Sequence, residues 1–147
     1  MPRLHLLATF ALAGALIQSA GHVNASVFES AKIQRIIDGK EVYIDRKEAK
    51  TNQTAQKGQQ ISTGGSRSEL LFDRRAIGFL GRNSLITLGQ RCFRLKEGSV
   101  LINGNQQSCL GSKVLGVRGT TYVLSLNADG NYDLAVLHGQ ASVEDSR

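Results

Sequence analysis

The chain has 147 residues, 18 basic and 12 acidic, with 16 glycines, one proline and no tryptophan. That length suits one domain with a modest core and argues against two independent ones. Glycine-punctuated short apolar runs favour strands and tight turns over long helices, and the basic excess lacks the interleaved aromatic residues of a single-strand-binding surface.

The N-terminus carries Arg3, an apolar run from Leu6 to Ile17, and the small-residue site Val23-Asn24-Ala25 before Ser26. This order predicts a secretory signal peptide over residues 1–25 and a mature domain over 26–147. The apolar run is shorter than the roughly 20 residues that span a bilayer, and no later stretch is apolar enough, so no transmembrane span is expected after cleavage. The expected location is periplasmic or secreted, which disfavours a nucleic-acid partner. Cleavage removes one of the 18 basic residues and none of the 12 acids, taking the formal charge from +6 to +5.

Ala31 to Ile37, Asp38-Gly39 and Val42 to Ile44 read as a hairpin, because Asp-Gly tolerates the positive φ of a two-residue turn. The polar stretch from Asp45 to Gln60 reads as an exposed loop, with a short helix around Arg46 to Lys50. From Ile61 the runs Leu70 to Phe72, Ile77 to Leu80, Leu85 to Leu88, Phe93 to Leu95 and Val100 to Ile102 follow in close succession, each too short for a helix. Val114 to Val117 leads into Thr121 to Leu126; Asp129-Gly130-Asn131 turns the chain into Tyr132 to Leu137; and His138-Gly139 turns it again into Gln140 to Val143. The class is all-β: a β-solenoid-like stack of short strands ending in hairpins, or alternatively a compact β-sandwich.

Cys92 and Cys109 form an isolated even pair without C-x-x-C spacing. In an oxidising compartment such a pair reads as a disulfide, with free buried thiols as the rival. A metal site is disfavoured because His5 and His22 fall in the signal segment, leaving only His138. Arg67, Arg74, Arg75, Arg82, Arg91, Arg94 and Lys96 hold most of the positive charge. They are read either as solvated strand and turn positions or as a surface for an anionic partner such as a cell-wall polymer or lipid headgroup. Catalysis is not expected: the acids are scattered, Ser66, Ser68 and Ser84 lack a G-x-S-x-G context, and no cofactor-binding loop is present.

The segment Lys57 to Gly64, then Ser66 to Phe72 and Asn83 to Leu88, resembles the opening half of the FecR domain, the extracytoplasmic domain of ferric-citrate-type regulators. Gly116-Val117-Arg118-Gly119-Thr120-Thr121-Tyr122-Val123-Leu124 is similar to that family's "RGT, aromatic, valine" strand, and Leu134 to Val143 to its closing hairpin. The resemblance covers about Ala31 to Asp145 and implies an exported, non-enzymatic β-domain used as a sensor, scaffold or recognition module. Its partner would be another envelope protein, or, for a structural or glycan-binding module, a cell-wall polymer. Regulators of the family carry a cytoplasmic anti-sigma region and a transmembrane helix ahead of this domain, where the secretory signal stands here. Each motif also has a local reading. Gly119 lets the backbone bend into the strand at Thr120, Gly139 supplies a turn between the last two strands, and Arg118 pairs with Asp133 or a carbonyl, or contacts a ligand.

Overall fold

The computed structural model describes residues 30–73 and 76–146; the signal segment with its cleavage site, and Arg74 and Arg75, lie outside these. Thirteen strands of the described residues join in one curled half-barrel sheet without a helix. They are β1 (Ala31–Ile37), β2 (Val42–Ile44), β3 (Lys47–Glu48), β4 (Thr54–Ala55), β5 (Gln60–Thr63), β6 (Arg67–Phe72), β7 (Ala76–Leu80), β8 (Leu85–Leu88), β9 (Phe93–Glu97), β10 (Ser99–Gly104), β11 (Ser108–Leu110), β12 (Lys113–Leu126) and β13 (Tyr132–Asp145). No helix of these residues is long and apolar enough to cross a membrane.

The sheet has two arms that meet at β12. One runs β4-β1-β6-β7-β10 and the other β3-β2-β5-β8-β9-β11. β10 pairs with the C-terminal half of β12, from Ser99↔Ser125 to Asn103↔Thr121, and β11 pairs with its N-terminal end, Ser108↔Leu115 to Leu110↔Lys113. Side-chain alternation sets which face each strand buries. In β7, Ala76 and Leu80 are buried while Ile77 and Phe79 point out; in β6, Ser68, Leu70 and Phe72 face inward. The inward rows of both arms form one core, in which Phe72 of β6 stacks on Phe93 of β9 with ring centroids 5.4 Å apart.

The all-β class is as expected, and β6 to β10 fall on the apolar runs. The chain passes repeatedly between the arms, as the coils of a solenoid do, yet neighbours within each arm are antiparallel except β9 and β11, whose Ser108↔Phe93 contact is the one parallel pairing among the described residues. The expected β1–β2 hairpin does not form. Asp38 and Gly39 do take positive φ (63° and 127°), but the corner carries the chain from one arm to the other. β1 pairs with β6 and β4, and β2 with β5 and β3, because Ile33 and Val42 then line the core from opposite arms. Nor does Arg46 to Lys50 form a helix. Asp45 and Arg46 have positive φ, and the chain reverses into β3, with Ala49 buried.

The crossings at one end of the sheet are stitched by buried hydroxyls. Ser66 Oγ accepts from the Glu41 amide (3.0 Å), and Thr63 Oγ1 donates to the Gly81 carbonyl (2.5 Å) while accepting from the Ser84 amide (3.0 Å). Ser84 Oγ donates to the Arg82 carbonyl (2.9 Å) and accepts from the Ser99 amide (3.0 Å). Each hydroxyl satisfies a backbone group that a turn leaves without a ladder partner.

Candidate functional site

The last hairpin is the longest element. Its turn is fixed locally: Asn127 Oδ1 accepts from the Asp129 and Asn131 amides, both at 3.0 Å, and Gly130 supplies φ 81°. From there β13 runs back along all of β12, from Leu126↔Tyr132 to Lys113↔Asp145. One end of β13 is pinned to β9 and the other to the start of β12. Tyr132 Oη donates to the Leu95 carbonyl (3.0 Å), Lys113 pairs with Asp145 (2.9 Å), and Ser146 Oγ donates to the Ser112 carbonyl (2.7 Å).

Between those pins β13 is exposed on both faces. Leu134 lies opposite buried Leu124, Val136 opposite buried Tyr122 and Val143 opposite buried Leu115, so their side chains continue the core-facing rows past the rim of the core. They remain 38%, 43% and 52% exposed, and Leu137 is 61% exposed. Among the described residues β12 is the only strand paired with β13, which leaves its other edge open along 14 residues. On the convex face, Phe79, Leu101, Val123 and Ala135 stand side by side across β7, β10, β12 and β13, an apolar row that ends on the same strand. Beside the C-terminal half of the hairpin lies an open groove of about 1020 Å³, lined by Arg91, Cys92, Gln107, Gly116, Val143 and Glu144 among others.

The motif Arg118-Gly119-Thr120 forms a bulge in β12 where its neighbour changes from β11 to β10. Gly119 (φ 53°) and Thr120 lie between the registered pairs Arg118↔Gln140 and Thr121↔His138, opposite Gly139 (φ 85°). Buried Thr120 Oγ1 accepts from the Arg118 amide (3.0 Å) and stands 2.6 Å from the Gln140 carbonyl, while the Gly119 amide donates to Asn105 Oδ1 (3.1 Å). Gly139 therefore makes no reversal; β13 continues through it, because β12 offers an unbroken ladder on either side. Arg118 does not face Asp133, whose registered partner is Ser125, at the other end of the hairpin.

The arginines fall into separate places. Arg67 (2.8 Å) and Arg82 (2.6 Å) both pair with Asp38 Oδ2, and Arg82 also donates to the Gly65 carbonyl. Arg94 donates to the Gly111 carbonyl, and Arg91 lines the groove. Cys92 and Cys109 sit at disulfide distance, with Cα atoms 5.4 Å apart. They tie the β8–β9 turn to β11 beside the parallel contact Ser108↔Phe93, the shortest ladder of that arm. Such a pair is compatible with an oxidising, exported location. Comparison with family models, curated proteins and solved structures finds no match to the chain.

Sequence reasoning missed the exposure of β13, since Leu134-Ala135-Val136-Leu137 identifies a strand but not whether neighbouring strands cover it. It also missed the buried corner hydroxyls. For two of them the signal was present as a serine after Gly or Asn at a crossing, Gly65-Ser66 and Asn83-Ser84, whereas Thr63 follows Ser62 and carries no such mark.

Proposed function

We propose that this chain is an exported, non-enzymatic binding module of the cell envelope, a stand-alone domain of the FecR kind, which recognises another envelope protein through the β12–β13 hairpin. The observation that carries the reading is β13 itself: a long strand, pinned at both ends and exposed on both faces, with four large apolar side chains in solvent. An unburied apolar surface on a rigid frame is suited to a partner's surface, whereas nothing in its polar groups is arranged to move a proton or hold a leaving group. The cysteine pair supports export, and the signal-like N-terminus supports cleavage near Ser26.

The test is site-specific photo-crosslinking of the full chain in its own host, with the reactive group at Leu137 and, as control, at Arg35 on the far arm. A protein adduct formed from position 137 and not from 35 is the expected result. Retention on purified cell-wall polymer, with no protein adduct, would favour a glycan-binding module. Mass spectrometry of the same material checks export through the expected start near Ser26.

A further inference from the structure

We infer that the open edge of β13 takes up an extended segment of a partner protein as an additional strand, and that this segment is apolar at alternate positions with basic residues at its ends. The inference rests on the binding-module reading above and specifies the partner's chemistry. Sheet edges are usually blunted by shortness, proline or lysine, because their unpaired N–H and C=O groups template another strand. β13 has 14 residues and contains no proline, lysine or arginine. Its side chains suit an added strand: Leu134, Val136, Ala141 and Val143 lie opposite core-facing or neighbouring residues of β12 and extend past the rim, so an apolar residue on the incoming strand would cover each of them.

Charge decides between partners. Asp133 stands near one end of β13 and Glu144 near the other, with Asp145 already engaged by Lys113. Two copies of the chain paired antiparallel along the full length of this edge, about a two-fold axis between His138 and Gly139, would set Asp133 directly against Glu144 twice over. Like charges placed opposite each other destabilise a strand pair. A different chain with lysine or arginine at each end of a segment of about a dozen residues reverses both contacts, at the roughly 3.3 Å per residue of extended chain.

The probe is a synthetic twelve-residue peptide of alternating valine and threonine with a lysine at each end, titrated against the full mature chain by fluorescence anisotropy. Binding should weaken at least tenfold when the end lysines are replaced by glutamate, and should vanish when alternate backbone amides on the pairing side are N-methylated. The double variant Asp133→Lys/Glu144→Lys changes two exposed side chains and should reverse the preference between the two peptides. Equal affinity for both peptides, binding that survives N-methylation of each of the two sets of alternate amides in turn, or a concentration-dependent dimer held by β13 would overturn the inference. A protein adduct from position 137 together with no peptide binding would also overturn it while leaving the binding-module reading in place; loss of both would remove the two together.

Discussion

Gly139 faces Gly119 across the β12–β13 hairpin, and a Cβ placed on Gly139 would run into the Gly119 carbonyl and the Thr120 Cα. Both glycines have positive φ, so the bulge depends on two positions where an L side chain is strained, one of them also crowded. Gly139→Ala should therefore cost about 2 kcal/mol or more, and Gly119→Ala, which meets open space, about 1 kcal/mol. Urea unfolding monitored by circular dichroism measures both. Equal costs would mean that the close approach is not felt.

The cysteine pair acts at the joint between the β8–β9 hairpin and the β11–β12–β13 end of the sheet. Cys92→Ser, Cys109→Ser and the double variant should lose similar stability, on the order of 2–4 kcal/mol, because each removes the same link. Hydrogen exchange should then accelerate first in β11, which is held to its arm by a single parallel contact. Full thiol labelling of unreduced, denatured protein would show that no bridge forms.

Much of this fold was legible in the sequence, and the limits have a physical cause. Runs such as Leu70-Leu71-Phe72 and Leu85 to Leu88 declare a strand because their length and polar or glycine flanks leave no room for a helix, and Asp129-Gly130-Asn131 declares the last hairpin. Partner choice is not local. Asp38-Gly39 specifies a bend but not which strand lies beside β1, since Leu70 and Phe72, more than 30 residues away, decide that by completing the core. Gly139 likewise specifies a positive φ, which serves a turn and a bulge equally; the ladder to β12 selects the bulge. The candidate site was the least legible part. Four successive apolar residues in β13 carry the same pattern whether they are buried by a layer on each side or left in solvent, and only the placement of neighbouring strands separates the two.

Asp45 gives a pH-dependent test of the polar stretch before β5. Its carboxylate accepts from the Gln60 amide (2.9 Å) and from Gln59 Nε2 (2.8 Å), with Lys47 adding a smaller attraction, and these hold it below the ordinary aspartate range. A pKa depressed in the folded state adds stability above the unfolded value, lost as pH falls through the folded one. Asp45→Asn keeps a residue that tolerates the positive φ at this position but removes the titration. The variant's melting temperature should fall less steeply than the parent's below about pH 4. An unchanged slope would place the acid sensitivity elsewhere.

Gly78 tests the packing between the arms. It sits inward on β7 between buried Ala76 and Leu80, and a Cβ there would come within 2.6 Å of the Phe72 ring and 3.3 Å of Ile102 Cδ1. Phe72 cannot retreat easily, because its ring is fully buried and stacked on Phe93 from the other arm. Gly78→Ala should therefore cost about 1–3 kcal/mol by overpacking, despite alanine's smaller backbone entropy loss on folding. Phe72→Leu alone should also destabilise, by loss of the stacked ring and the space it leaves. In the double variant the alanine methyl would occupy part of that space, so the combined loss should fall short of the sum of the two by about 1 kcal/mol or more. Strict additivity in urea unfolding would mean that the ring and the glycine do not share a boundary, and that the core of this sheet is packed differently between β6 and β7.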